Sequence, residues 1–126
     1  MRTYILSLLV LAFLLVFHTL GISQGYYLIF WPYDIFAHIF GGLGIGLFLI
    51  AAARTFWPVI LNGNRTAKIV FLVFVVGLIW EIFEVIYNIA GYSFGTKAYF
   101  IDTIKDLIDD VIGGFLAVYL DRFLNK

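Results

Sequence analysis

The sequence predicts an all-α integral membrane protein, folded as a single bundle of four transmembrane helices over residues 1–126. Three observations predict this class. Of the 126 residues, 63% are hydrophobic and 13% are charged, whereas soluble domains have about 25% charged residues. The mean hydropathy is +1.04. Four separate stretches are each apolar over about the 20 residues that a membrane-spanning helix needs.

The four apolar stretches run from about Tyr4 to Leu20, from Ile35 to Ala53, from Ile69 to Ile89 and from Ile101 to Leu120. The first stretch is short and follows Met1-Arg2, so it could be a signal peptide or a retained helix. No small-x-small cleavage site follows it in residues 18–24, which favours a retained helix. No linker or low-complexity run separates the stretches, so we expect one domain.

The segments around the second stretch contain interface and packing signals. Residues 21–33 are rich in Tyr and Trp, whose rings prefer the headgroup level of a bilayer. Pro32 and Asp34 suit the first turn of the second helix. In that helix the spacing Gly42-x-x-x-Gly46 allows another helix to approach closely. The partner could be a neighbouring helix or a second copy of the chain in a homo-oligomer.

Charge and cysteine content exclude several classes of function. Eight basic residues balance eight acidic ones, so the chain lacks the basic surface that nucleic-acid-binding proteins use. Cysteine is absent, which excludes disulfides, thiolate metal sites and cysteine nucleophiles. Membrane lipids are therefore the expected surroundings and partners.

The basic residues are unevenly distributed over the connectors. Arg54, Arg65 and Lys68 lie between the second and third stretches, and the connector between the first and second has none. Arg2, Arg122 and Lys126 agree with the same orientation, and Lys97 opposes it. Because cytoplasmic loops are enriched in Lys and Arg, both termini and the middle loop are predicted to be cytoplasmic, with the protein in the plasma membrane.

With this orientation, seven of the eight acidic residues share one layer near the outer side of the membrane. They are Asp34 of the second helix, Glu81 and Glu84 of the third, and Asp102, Asp106, Asp109 and Asp110 of the fourth. The residues of each set follow helical spacing, except that Asp110 lies just off the line of the others. An ionised carboxylate facing lipid is costly, so such residues normally face a bundle interior or a wet cavity and mark function.

The acidic layer predicts a cation site. Seven carboxylates cannot all stay ionised without protons, Lys97 and Lys105, or a bound cation nearby. Oxygen ligands in excess favour Mg²⁺, Mn²⁺ or Ca²⁺, and a histidine would also admit Zn²⁺. The candidate metal ligands are Glu81, Glu84, Asp102, Asp106, Asp109 and Asp110. The candidate catalytic pair is His38, as proton shuttle, with Asp34 to orient it.

Simpler roles are open for the same residues. The carboxyl groups could make interhelical hydrogen bonds, either protonated or paired with Lys105. For Asp102 we favour an N-cap of the fourth helix, and Asp34 has a similar alternative at the start of the second. His18 lies near the same layer, where a satisfied or interfacial histidine is expected.

The acidic motifs occur in a fixed order along the last three helices. They are Asp34-x-x-x-His38-x-x-x-Gly42, Glu81-x-x-Glu84, and Asp102-Thr-x-x-Asp106 followed by Gly113-Gly114. In this order the chain resembles the VanZ-like and YjdF-like (DUF2238) small membrane proteins. Gly95-Thr96 is similar to the YjdF-like pattern in particular, while the arginine that VanZ-like proteins place before the last acidic motif is not evident. The resemblance implies a polytopic membrane protein, in one branch linked to glycopeptide antibiotic resistance at the cell envelope.

Three functions fit these observations. Metal-assisted chemistry on a lipid or lipid-linked headgroup fits the depth of the acids, which a headgroup and water can both reach. Ion- or proton-coupled transport also uses membrane-buried acids and histidine, although the inner halves of the last three helices lack ionisable groups. A structural or lipid-binding accessory protein is the third possibility.

Overall fold

The chain folds into four long helices. The computed structural model describes residues 1–87, 89 and 91–125. The long helices are α1 (Arg2–Ser23), α3 (Pro32–Phe56), α4 (Arg65–Tyr87) and α5 (Lys97–Leu124), while α2 (Tyr26–Ile29) is a single turn and a 3-10 turn covers Pro58–Leu61. The described part of the chain contains no strand. The predicted all-α class is therefore confirmed.

The start of α5 differs from the sequence prediction. Gly95, with a φ of 82°, forms the turn before the helix. The side-chain oxygen of Thr96 then accepts a hydrogen bond from the backbone N–H of Tyr99 at 3.2 Å, which makes Thr96 the N-cap. The predicted N-cap role of Asp102 is wrong, because threonine caps the helix earlier and Asp102 lies in its second turn. The start of α3 is as predicted, with Pro32 in its first turn.

The central helix of the bundle is α3, which packs against α5 along most of its length and also contacts α1 and α4. The apolar core lies among α3, α4 and α5. Its fully or almost fully buried side chains are Leu43, Leu47, Ile50, Ile69, Ala117 and Val118. Because these residues come from the middle and later turns of α3 and α5 and from the start of α4, the core lies between the two ends of the bundle.

Glycines bring α3 and α5 into close contact. A Cβ added at Gly42 would lie 2.1 Å from the carbonyl oxygen of Asp110, and one added at Gly113 would lie 2.3 Å from that of Ile39. The position of Gly46 is similarly crowded. The close helix approach predicted at Gly42 and Gly46 is confirmed, and the partner is α5 of the same chain. A homo-oligomer through this helix stays a prediction.

Among the described residues, three helices are long and apolar enough to cross a membrane, namely α1, α3 and α4. With 28 residues α5 is the longest helix, but its many charged residues set it apart in composition. Large apolar side chains such as Leu8, Phe71 and Phe115 are exposed on the outside of the bundle, as in helices that face lipid. The fourth crossing and the cytoplasmic termini stay predictions.

The two ends of the chain meet at one end of the bundle. The hydroxyl of Thr3 in α1 donates to Oδ1 of Asp121 in α5 at 2.9 Å. The side-chain amide of Asn125 donates to the Thr3 hydroxyl at 3.2 Å. The start of α1 and the end of α5 therefore lie together.

Candidate cation site

Ionisable side chains of three helices converge at the other end of the bundle. We call this group the acidic cluster, and it comprises Asp34, His38, Glu81, Glu84, Asp102, Lys105, Asp106, Asp109 and Asp110. The residues of α3 come from its first two turns, those of α4 from its last two turns, and those of α5 from its first half. Antiparallel packing of α4 and α5, with α3 beside them, therefore places all of them at one level.

His38 lies within the acidic cluster and is buried. Its Nε2 lies 3.7 Å from Oδ1 of Asp34 and also 3.7 Å from Oδ2 of Asp106. Its Nδ1 lies 3.3 Å from Oδ1 of Asp110. Asp34 comes from the preceding turn of the same helix, and the glycine contact of α3 with α5 brings the other two carboxylates within reach. Asp110 is thus the carboxylate nearest to His38, rather than Asp34 as the sequence suggested.

Lys105 balances part of the negative charge. Its Nζ lies 2.6 Å from Oδ2 of Asp34 and 2.7 Å from Oδ1 of Asp106. A third carboxylate oxygen, Oδ1 of Asp102, is 3.6 Å away. Of the two lysines predicted to compensate the acids, Lys105 therefore does so, whereas Lys97 is exposed at the start of α5.

Three residues of the cluster have the geometry of a ligand set. Among the described residues, Asp34, His38 and Asp106 each offer one donor atom such that all three atoms lie within 4.8 Å of one another. Donor atoms around an ion at about 2.1 Å lie roughly 3–3.5 Å apart, and Nε2 of His38 is 3.7 Å from each carboxylate oxygen. A small contraction would bring these donors to coordination distance. The carboxylate of Asp110 on Nδ1 is the kind of partner that orients a ligating histidine.

Two further acids of α5, Asp109 and Asp110, are also buried. Asp110 faces the junction of α3 and α4, where an added Cβ at Gly77 would lie 2.4 Å from its Oδ2. The sequence predicted that Asp110 lies just off the helical line of the other acids of α5. This is the side of the helix that faces His38. Oδ2 of Asp109 is buried without a hydrogen-bond partner among the described residues.

The two glutamates of α4 have different surroundings. Glu81 is buried, and its Oε2 accepts a hydrogen bond from the Thr103 hydroxyl at 2.8 Å, while Oε1 has no partner among the described residues. Glu84 is half-buried and accepts a hydrogen bond from Nε1 of Trp80 at 2.9 Å. Neither glutamate belongs to the group of three ligand atoms. Asn88, the next position on the predicted face, lies outside the described residues.

An aromatic contact lies beside the acidic cluster. Nδ1 of His18 in α1 is 2.7 Å from the hydroxyl of Tyr27 in α2. Burial raises the pKa of the Tyr27 hydroxyl above its ordinary range, so the hydroxyl stays protonated and shares a hydrogen bond with the imidazole. The His18 ring also packs edge-on against Trp80. The prediction of a satisfied histidine is confirmed.

A second polar cluster lies at the end of the bundle where the termini meet, and the sequence did not predict it. We call it the arginine cluster; its members are Thr3, Arg54, Arg65, Asp121 and Asn125. Asp121 is fully buried. Both of its oxygens accept hydrogen bonds from Arg54, at 2.8 and 2.7 Å, and Oδ2 also accepts one from Arg65. Thr3 and Asn125 donate to Oδ1 at 2.9 and 3.0 Å.

A sequence signal for the arginine cluster existed. Arg54 ends the second predicted helix and Arg65 precedes the third, so both lie at the end of the bundle where Asp121 closes the fourth. The first use made of the two arginines was to predict which side of the membrane faces the cytoplasm. Arg54 and Arg65 are also predicted to lie at the same level as Asp121, and this shared level indicates an ion pair.

Comparison with known proteins supports the membrane assignment. A family model described as "Predicted membrane protein (DUF2238)" matches residues 2–126. No curated protein and no solved structure matches the chain. The match confirms the DUF2238 part of the resemblance, and the VanZ-like and YjdF-like parts stay predictions. Because the family model covers almost the whole chain, and three helices are suited to cross a bilayer, this multi-pass membrane protein belongs to the DUF2238 family.

Proposed function

We propose that this protein is a single-domain, four-span membrane protein that binds a divalent cation through Asp34, His38 and Asp106 near the outer leaflet. We further propose that the cation serves chemistry on the headgroup of a lipid or lipid-linked envelope molecule. The observation that carries the proposal is the placement of His38. Its Nε2 faces carboxylates from two helices, while Asp110 holds its Nδ1.

The length and packing of α5 support a fourth crossing. Its 28 residues extend about 42 Å at 1.5 Å per residue, which exceeds the hydrocarbon core of about 30 Å. Asp106, Asp109 and Asp110 are buried in the bundle, so they avoid the cost of a charge in lipid. The basic residues then favour a cytoplasmic arginine cluster and an acidic cluster on the outer side.

Each residue of the proposed site has a distinct role. Asp34 and Asp106 supply hard oxygen donors, and His38 supplies a nitrogen donor that extends the range to Mn²⁺ and Zn²⁺. Asp110 fixes which imidazole nitrogen faces the cation. A cation there would polarise a phosphoryl or carbonyl oxygen of the headgroup. Because His38 would be a ligand, another group must take up the proton. The oxygen of a water molecule would attack the phosphorus or carbonyl carbon of the headgroup and the bond to the leaving group would break. The water proton would go to Glu81 or Asp109, each of which has an unpartnered oxygen.

Metal binding is the first part to test. Purified protein in detergent is titrated with Mn²⁺ and followed by electron paramagnetic resonance, and elemental analysis follows desalting. We expect one ion per chain for the wild type, and loss of binding in His38→Gln and Asp106→Asn. Glu84→Gln is the matched control, because it removes an acid outside the ligand set and should leave binding unchanged. Absence of binding in the wild type, or retention of it in Asp106→Asn, would overturn the site.

The chemistry is tested separately. Protein reconstituted into vesicles with phospholipids and lipid-linked sugars is assayed for released headgroups, with and without a chelator. We expect a release that depends on Mn²⁺ or Zn²⁺ and that Asp106→Asn abolishes, while Glu84→Gln retains it. If the protein binds metal and releases no headgroup, the enzymatic part of the proposal fails and the cation site stands.

Ion- or proton-coupled transport is the alternative from another class. A relay needs ionisable groups across the bilayer, but the apolar core, including Leu47 and Ile50, lies between the acidic and arginine clusters. This favours a site that is reached from one side. Proton or cation flux in vesicles that depends on Glu81 would favour transport instead. A structural accessory role predicts that Glu81→Gln and Asp106→Asn change only stability or assembly.

A further inference from the structure

Lys105 lies in contact with two of the three proposed ligands. Its ammonium is 2.6 Å from Oδ2 of Asp34 and 2.7 Å from Oδ1 of Asp106. The opposite oxygens of the same carboxylates face Nε2 of His38. A cation held on the His38 side would therefore be separated from the ammonium by the width of one carboxylate. Both positive charges would depend on the same two negative charges.

We propose that Lys105 determines the selectivity of the site for divalent over monovalent cations; this inference rests on the proposed function. The ammonium already provides one positive charge to Asp34 and Asp106, and it is tethered to the chain. A free Na⁺ or K⁺ brings no more charge and must also be immobilised, so it cannot compete with a tethered group. A divalent ion interacts twice as strongly with the same carboxylates, and it displaces the ammonium.

Asp102 gives the displaced ammonium an acceptor. Its Oδ1 lies 3.6 Å from Nζ of Lys105 and belongs to the preceding turn of α5. The side chains of Lys105 and Asp102 are 35% and 31% exposed, so the flexible lysine can rotate toward Asp102 without entering the core. Asp102 thereby acts on the cation site through Lys105, and is a positioning residue rather than the N-cap or ligand that the sequence suggested.

The first experiment compares Mn²⁺ binding by wild-type protein, Lys105→Met and Lys105→Arg, in the same detergent, with increasing NaCl or KCl. Removing the competing ammonium should raise the Mn²⁺ affinity of Lys105→Met at least ten-fold, because a unit charge acts over only a few ångström near a protein surface. Na⁺ and K⁺ should then compete with Mn²⁺ in Lys105→Met and have little effect on the wild type beyond general screening. Lys105→Arg keeps the charge and should behave like the wild type.

The second experiment is a double-mutant cycle with Asp102→Asn. If Asp102 accepts the displaced lysine, Asp102→Asn lowers the Mn²⁺ affinity about three-fold in the presence of Lys105, the size of a partly exposed ion pair. It has no effect in the Lys105→Met background. If Asp102 were a metal ligand, the loss would be the same in both backgrounds. Should Lys105→Met fail to fold, the NaCl and KCl titrations of the wild type still test the inference, because competition with Mn²⁺ beyond general screening would overturn it.

The outcomes separate this inference from the proposed function. If the wild type binds Mn²⁺ and Lys105→Met binds it equally or more weakly, the role of Lys105 is wrong and the site stands. If only Lys105→Met binds Mn²⁺, the ammonium blocks the site in the wild type, and both the selectivity role of Lys105 and the proposed function fail. If neither protein binds Mn²⁺ or Zn²⁺, both the inference and the proposed site fail.

Discussion

The two ends of the bundle handle buried charge in opposite ways. In the arginine cluster the single acid, Asp121, is surrounded by donors that satisfy both of its oxygens. In the acidic cluster seven carboxyl groups share one lysine and one histidine. There, oxygens of Glu81 and Asp109 are buried without partners among the described residues. In the first cluster both carboxylate oxygens have partners, whereas in the second cluster some buried carboxyl oxygens have none among the described residues.

This difference separates a structural cluster from a candidate site. A buried carboxylate whose positive partners come from neighbouring helices holds those helices together, and its loss leaves uncompensated charge. Unpartnered buried carboxyl groups destabilise a fold. Where a membrane protein has several of them at one level of its helix bundle, a functional role is therefore expected. In the arginine cluster, Nε of Arg65 is buried without a hydrogen-bond partner among the described residues.

The largest predicted effect is on the arginine cluster. Asp121→Asn removes the charge that faces Arg54 and Arg65, and should lower the free energy of unfolding by about 3 kcal/mol, the size expected for breaking a buried ion pair. Denaturant titration in mixed micelles measures this change. Asp102→Asn, which alters a half-buried acid of the same helix, is the control and should cost less than about 1 kcal/mol. Equal losses in the two variants would contradict the distinction between the clusters.

A second prediction concerns the glycine contact that positions the acidic cluster. Gly42→Ala places a methyl group where the carbonyl oxygen of Asp110 lies, so α3 and α5 must separate. We expect a loss of stability of about 1–3 kcal/mol from overpacking, together with weaker Mn²⁺ binding because Asp106 and His38 move apart. Gly91→Ala, at a position without close neighbours, should leave both unchanged. Unaltered Mn²⁺ binding in Gly42→Ala would show that the site does not depend on this contact.

Composition and spacing were enough to predict the helices and the level of the acids. Helical periodicity is local, so the sequence alone predicts that the acids of α5 share one helical face and that Asp34 lies one turn before His38. The arrangement of partners could not be, because it depends on where α3 crosses α5. That crossing brings Asp110 to His38 and places Lys105 between Asp34 and Asp106.

The predicted cap at Asp102 failed for a related, local reason. Sequence reading started the fourth helix at its first long apolar run, whereas the helix begins earlier at Lys97 with Thr96 as its cap. Threonine is also a favoured N-cap residue, although aspartate ranks above it. The apolar run therefore marks where α5 becomes buried in the bundle, and the cap marks where it begins.

A third prediction concerns a substitution that should not lower the free energy of unfolding, in contrast to Asp121→Asn. Asp109→Leu removes a buried carboxyl group that has an unpartnered oxygen. Replacing an unsatisfied buried polar group by an apolar one should be neutral or stabilising by about 1 kcal/mol. The thermal midpoint of the purified protein measures this, with Asp121→Leu as the matched change in the arginine cluster, where a loss is expected. If Asp109→Leu destabilises as much as Asp121→Leu, then Asp109 has a partner role and the acidic cluster is structural.

The smallest predicted effect is at Glu84, and it decides between two versions of the site. The sequence suggested that Glu81 and Glu84 bind the cation together with the acids of α5, whereas the ligand geometry favours Asp34, His38 and Asp106. Glu84 is half-buried and accepts a hydrogen bond from Trp80.

Glu84→Gln should therefore lower the free energy of unfolding by less than about 1 kcal/mol, as for other partly exposed polar contacts. It should leave the Mn²⁺ affinity unchanged. Titration of Glu84→Gln beside Asp106→Asn measures both quantities. Loss of Mn²⁺ binding in Glu84→Gln alone would move the site from the α3–α5 contact toward α4, and Lys105 would then lie outside it.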